Sequence, residues 1–112
     1  EAGAAIDQAD GQGATPLFMA CQEGHLEFVR LLLEAGAAVN QANDDGRTPL
    51  YAACLNGHLE CVRLLLEASA AVGQASGNGV TPLLMACHHG HLEVAKLLSS
   101  YGASRAATPF GT

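Results

Sequence analysis

The sequence predicts an all-α fold, an elongated α-solenoid in which short helix-turn-helix units stack side by side. The first observation behind this prediction is an internal repeat, because two short motifs recur three times at a spacing of 33 residues. The second is composition: the 112 residues include 21 Ala, 16 Leu and 13 Gly, whereas aromatic residues make up 4% and Trp is absent. Such small side chains suit thin, closely packed helices, and one unit can bury its apolar face only against a neighbouring unit.

Three repeats account for most of the chain. The motif Thr-Pro-Leu begins at Thr15, Thr48 and Thr81. The motif Gly-His-Leu-Glu begins at Gly24, Gly57 and Gly90. Residues 10–42 are identical to 43–75 at 22 of 33 positions, and to 76–108 at 16. The chain is therefore divided into the tail of a preceding repeat (1–9), repeat 1 (10–42), repeat 2 (43–75), repeat 3 (76–107) and the start of an irregular following unit or a tail (108–112).

The first helix of each repeat is predicted from the residues at its ends. In repeat 1, Thr15 is a good N-cap, and Pro16 suits the first helical position, where no amide hydrogen bond is lost. The helix extends to about Glu23, and Gly24 ends it.

The second helix is predicted from apolar periodicity that begins near Leu26. Leu26, Val29 and Leu33 fall on one face, and the charged residues fall on the other. Arg30 and Glu34 lie four residues apart on the charged face, a spacing that allows an ion pair worth only a few tenths of a kcal/mol.

The connection between two repeats, residues 38–47, lacks helical periodicity. Its sequence Asn43-Asp44-Asp45-Gly46 is a strong turn signal. We therefore expect an extended hairpin, or finger, that joins one helix pair to the next.

The repeated pattern Asp-x-x-Gly-x-Thr-Pro-Leu…Ala…Gly-His-Leu-Glu-x-Val-x-Leu-Leu-Leu-Glu-x-Gly-Ala resembles the ankyrin repeat over residues 10 to about 105. The resemblance implies an L-shaped unit, with a helix pair and a finger projecting at right angles to it. It also implies a concave face formed by the fingers and the first helices. Members of this family are mostly protein-binding scaffolds without catalysis.

Several positions depart from the family pattern. The family's usual His after Thr-Pro-Leu is replaced by Phe18, Tyr51 and Leu84. Ser69 occupies the position of a glycine that ends the second helix in a left-handed conformation, at a cost of about 1 kcal/mol. Asn40 lies at the family's hairpin asparagine, which intracellular oxygenases can hydroxylate; a hairpin-stabilising hydrogen bond is the interpretation we favour.

The four cysteines are predicted to be unpaired. Cys21, Cys54 and Cys87 share one repeat position, and equivalent residues of stacked repeats are too far apart for a disulfide. We expect them to be small buried hydrophobic residues, and Cys61 to be buried as well. Reduced cysteines favour an intracellular, cytoplasmic location.

The charge and motifs argue against several function classes. A formal charge of −6 disfavours nucleic-acid binding, and no apolar stretch is long enough to span a membrane. No catalytic motif and no cofactor site is recognised. His88, His89 and His91 could form a Zn²⁺ or Ni²⁺ site, but His91 is explained by the repeat and no further ligand is recognised, so no metal is expected.

The positions that build the fold hold the same residue in each repeat. Other positions change from repeat to repeat, and these are the candidate binding residues. By resemblance, these positions line the concave face and finger tips, and Arg47 and Tyr51 of the central repeat are the predicted anchors. The predicted partner-binding residues are Gln12, Ala14, Gln22, Glu23, Asp44, Asp45, Arg47, Tyr51, Leu55, Asn56, Asn78, Val80, His88 and His89.

The leading hypothesis is a non-catalytic scaffold that binds a partner protein or peptide with a neutral to basic surface. A structural spacer within a larger array and a designed scaffold are the alternatives. Apolar faces at both ends of the stack also predict end-to-end self-association.

Overall fold

Six helices arranged as three pairs form the fold, which confirms the predicted α-solenoid. The computed structural model describes residues 6–102, and within this range the chain forms no β-strand. The helices are α1 (Pro16–Glu23), α2 (Leu26–Glu34), α3 (Pro49–Leu55), α4 (Leu59–Glu67), α5 (Pro82–His88) and α6 (Leu92–Ser100). Outside the described residues lie 1–5 of the predicted segment 1–9, 103–107 of predicted repeat 3, and the predicted segment 108–112.

Each first helix begins at a threonine cap. The Oγ1 atoms of Thr15, Thr48 and Thr81 accept hydrogen bonds from the backbone N–H three residues later, at 3.1, 3.2 and 3.2 Å. A proline follows each threonine, so no helical hydrogen bond is lost at the first position. Gly24 ends α1 with a φ of 75°, as predicted.

Repetition of the helix pairs produces one continuous core. The first helices α1, α3 and α5 pack side by side, and α2, α4 and α6 do the same behind them. The core is built from small and medium-sized residues, with Leu17, Leu50, Leu65, Leu83 and Leu98 fully buried. The molecule is about twice as long as it is wide, at 45 × 24 × 21 Å.

Residues at the same position of different repeats differ in burial, because only some of them are covered by a neighbouring repeat. Cys21 and Cys54 are fully buried beneath the following repeat, and Cys61 is buried as predicted. Cys87 is exposed, so the prediction that it is buried was wrong. Among the described residues no fourth helix pair covers this side of α5. All four thiols are free, as expected.

Phe28 shows the same effect at the opposite side of the stack. Its side chain is 62% exposed, whereas the equivalent residues Cys61 and Val94 are each 2% exposed because a preceding repeat packs on them.

The ion pair predicted between Arg30 and Glu34 is not formed. Instead Arg30 Nε lies 3.7 Å from Glu27 Oε1, and the same spacing of three residues recurs in Arg63–Glu60 at 3.4 Å. The physical reason is that helical side chains lean toward the N-terminus of their helix, which brings an arginine toward the preceding turn.

Ser69 has a φ of 69°, the single positive φ among the described residues other than glycine. The predicted left-handed conformation is therefore present. No helix in the described part of the chain is long and apolar enough to cross a membrane.

Candidate functional site

The three fingers are tight turns closed by their first residue. In finger 2 (residues 43–47), Asn43 N–H donates to the carbonyl of Arg47 at 2.9 Å. Asn43 Oδ1 accepts from the N–H groups of Asp45 and Arg47, both at 3.0 Å. Gly46 has a φ of 77° and its N–H donates to the Asn43 carbonyl. This closed turn holds the backbone of Asp44, Asp45 and Arg47 in place.

Finger 1 (residues 10–14) uses an aspartate for the same purpose. Asp10 Oδ1 accepts from the N–H groups of Ala14 and Gln12, both at 2.9 Å. These backbone hydrogen bonds, chiefly that from Ala14, lower the pKa of the Asp10 carboxyl. Asp10 therefore carries a negative charge that adds to the acidic finger tips. In finger 3 (residues 76–80) the hydroxyl of Ser76 accepts from Val80 N–H at 3.4 Å.

Backbone hydrogen bonds join neighbouring fingers into a row. Asp44 N–H donates to the Gln12 carbonyl at 3.0 Å, and Gly77 N–H donates to the Asp45 carbonyl at 2.8 Å. A Cβ on Gly46 would lie 2.6 Å from the backbone nitrogen of Gly77, so this close approach requires glycine. The finger tips therefore have fixed positions relative to one another.

The opposite ends of the first helices are joined by histidines of the Gly-His-Leu-Glu motif. His58 Nε2 lies 3.1 Å from the carbonyl oxygen of Gln22, which also accepts from Asn56 Nδ2 at 3.1 Å. His91 Nε2 lies 3.0 Å from the Leu55 carbonyl oxygen. Each of these two rings therefore joins its own repeat to the preceding one.

We call the fourteen predicted partner-binding positions the variable face. Twelve of them have some exposure, and ten of these twelve line three open grooves. The finger groove is lined by residues 43–47, Gly77 and Asn78. The helix-end groove is lined by Gln22, Glu23, Leu55, Asn56 and His58. The third groove, in repeat 3, is lined by Val80, Leu84, Met85, Cys87 and His88.

Exposure differs along the variable face. The exposed positions are Gln12, Glu23, Asp44, Asp45, Asn56, Asn78, His88 and His89, and the half-buried positions are Gln22, Arg47, Leu55 and Val80. The remaining two, Ala14 and Tyr51, are buried, at 6% and 3% exposure.

Burial corrects the expectation that Tyr51 is an exposed anchor. Ala14 packs in a small apolar cluster with Phe18 and Ala52 beneath the fingers. Tyr51 lies beneath Arg47, whose guanidinium carbon is 5.3 Å from the centroid of the tyrosine ring. This arrangement is a cation–π contact, so Tyr51 supports Arg47 from below.

Some groove residues were not predicted from the sequence. His58 lines the helix-end groove, and Leu84, Met85 and Cys87 line the groove in repeat 3. Leu84 is 37% exposed although the equivalent Phe18 and Tyr51 are buried. The sequence did contain one indication that Leu84 would be exposed. Leu84 lies in the last of the three repeats, on the side that a following repeat would cover.

The cysteine and histidine side chains in and beside the first helices differ in burial. Burial raises the pKa of the Cys21 and Cys54 thiols well above the usual range, so both remain protonated and out of reach of a substrate. His88 and His89 lie edge to face with ring centroids 5.0 Å apart. Between residues 6 and 102, no group of three His, Cys, Asp or Glu side chains is placed to hold a metal ion.

Comparison with protein families gives one result. The family model described as ankyrin repeats (3 copies) matches residues 2–75 and again residues 39–109. Together the two matches cover nearly the whole chain. No curated protein matches the sequence.

Proposed function

Since the chain belongs to the ankyrin repeat family, whose repeats are generally protein–protein interaction modules, we propose that it binds a partner protein or peptide through its variable face. This is the concave finger and first-helix face implied by the family resemblance. The observation that carries the proposal is that twelve of the fourteen changing positions are accessible and that ten of these line three open grooves. The fixed fingers and helix ends mean that little ordering is required on binding.

The charge of this face favours a neutral to basic partner. Glu23, Asp44 and Asp45 are exposed on it, and Asp10 lies beside it with a lowered pKa. Arg47 is the one Lys or Arg among the fourteen positions. Opposite charges would speed the encounter more than they would set affinity. Four free thiols favour an intracellular, cytoplasmic setting for this interaction.

The test is affinity capture with the 112-residue chain, followed by binding kinetics at two salt concentrations. For a captured partner, we predict that Leu55→Ala weakens binding by about 1–3 kcal/mol. Asp44→Asn combined with Asp45→Asn should mainly slow association and flatten its salt dependence. The matched controls are Glu27→Ala and Glu60→Ala, on the second helices and away from the grooves.

Two outcomes would contradict the proposal. If Glu27→Ala and Glu60→Ala cost more affinity than Leu55→Ala, the partner binds the other side of the stack. If no protein is retained, the chain acts as a structural spacer, a role for which the continuous core and the row of fingers would suffice.

A further inference from the structure

Arg47 is the one Lys or Arg among residues 6–102 that has no carboxylate within 4.0 Å. The other three, Arg30, Arg63 and Lys96, each pair with a glutamate three residues earlier on a second helix. Asp44 and Asp45 are close to Arg47 in the sequence, yet neither forms an ion pair with it. The centre of the variable face therefore carries a positive charge whose partner is not within the described chain.

The structure holds Arg47 in one place. Its N–H donates to Asn43 Oδ1 at 3.0 Å and its carbonyl accepts from Asn43 N–H at 2.9 Å, so the closed finger fixes its backbone. Its guanidinium lies over the ring of Tyr51, and Tyr51 is itself buried, with its N–H bonded to Thr48 Oγ1. A side chain ordered in advance loses little conformational entropy when a partner binds.

The surroundings of Arg47 favour a hydrogen-bonded contact between its guanidinium and a charged group of a partner. The equivalent positions in the neighbouring repeats hold the apolar residues Ala14 and Val80, so neither repeat offers a carboxylate at that position. Arg47 Nε is buried and has no hydrogen-bond partner. The residue as a whole is half-buried and lines the finger groove, so a partner seated in that groove can reach its side chain.

We propose that Arg47 is the central recognition anchor and that the partner presents an aspartate or glutamate carboxylate to it. This inference rests on the proposed function. A planar guanidinium matches a carboxylate better than any other protein group, and such a pair is strong where water is excluded. The exposed Asp44 and Asp45 favour basic residues beside that carboxylate, so the partner segment carries one acidic residue within a neutral or basic sequence.

The experiment begins with random linear peptides displayed on phage and selected on the 112-residue chain. We expect an Asp or Glu to recur at one position of the peptides that bind. The affinity of a selected peptide is then measured for the native chain and for Arg47→Gln, each with the acidic peptide and with its Asn or Gln counterpart. Arg63→Gln, on the second helix of the same repeat, is the matched control.

Each single change should weaken binding by about tenfold or more, and both together should weaken it no more than one alone. Arg63→Gln should leave affinity unchanged. The peptide substitution leaves the chain intact, so it tests the contact even if Arg47→Gln impairs folding. Additive effects, or peptides that bind equally well without an acidic residue, would overturn the inference while sparing the proposed function. Failure to select any peptide would overturn the inference, whereas failure of the affinity capture described above would overturn the proposed function.

Discussion

Single side chains make several of the hydrogen bonds that cross from one repeat to the next. Asp7 Oδ1 accepts from Ala38 N–H at 3.0 Å, and Asn40, 33 residues later, accepts from Ala71 N–H at 2.9 Å. The predicted hairpin-stabilising role of Asn40 thus takes the form of a bond between repeats. Gly73, at the next equivalent position, has no side chain that could accept.

Asn40→Ala should destabilise the fold by about 1–2 kcal/mol, because the half-buried N–H of Ala71 loses its acceptor. The measurement is urea denaturation followed by circular dichroism. Gln41→Ala is the matched control, since Gln41 is exposed and its side chain makes no hydrogen bond to any residue of 6–102. Equal destabilisation by the two variants would show that the bond across the repeats contributes nothing.

At the scale of helices, the ends of elements follow closely from the sequence because local chemistry determines them. Thr caps, a first-position Pro and a terminating Gly act within a few residues of one another, and α1 and α2 begin and end where these signals place them. Side-chain pairing is less local. The expected Arg30–Glu34 pair was wrong because Arg30 has a glutamate within reach on either side, and the spacing was considered only toward Glu34 and not toward Glu27, where the side chain leans.

Ser69 permits a test of one helix end in isolation. Ser69→Gly should stabilise the fold by about 1 kcal/mol, because glycine adopts a φ of 69° without steric cost. The reverse change at the equivalent position, Gly36→Ser, should destabilise by a similar amount. A Cβ on Gly36 would meet no atom within 4 Å, so backbone conformation alone decides the effect. Thermal unfolding that does not change in either variant would refute this reading of the helix end.

At the scale of the whole molecule, the repeat period predicts the stack, but it does not say which positions are covered. Comparison among three repeats shows that positions 14, 47 and 80 vary, yet Ala14 is buried and Arg47 is half-buried. Tyr51 varies as well and is buried beneath Arg47. Burial depends on neighbours from other repeats, so the sequence indicates the variable face and the structure is needed to separate contact residues from supporting ones.

The two ends of the described stack expose complementary apolar surfaces. Phe28 and Leu31 are 62% and 59% exposed at one end, and Leu84 and Leu92 are 37% and 63% exposed at the other. Within the stack, Cys61 and Leu64, the equivalents of Phe28 and Leu31, and Leu26, the equivalent of Leu92, all pack in one apolar core. A second copy of the chain is therefore the occupant we propose for these ends.

Sedimentation measured over a range of concentrations should reveal this end-to-end association. Phe28→Glu should suppress it, because a charge placed against the apolar end of another copy would be desolvated. Glu27→Gln, on the adjacent exposed position of the same helix, should leave it unchanged. A strictly monomeric chain at millimolar concentration would exclude the proposal.

The two boundaries between repeats differ in the number of hydrogen bonds that cross them. The boundary with fewer hydrogen bonds is the one at which the stack is expected to open first. Four cross from repeat 1 to repeat 2: Asp44 to Gln12, Ala71 to Asn40, and both Asn56 and His58 to Gln22. In the described residues two cross from repeat 2 to repeat 3: Gly77 to Asp45, and His91 to Leu55. Repeats 1 and 2 should therefore open as one block, with repeat 3 hinging away first. A partner that spans the groove of repeat 3 and the finger groove of repeat 2 would hold these two repeats together. Its binding would then raise the force needed to pull repeat 3 away from the stack.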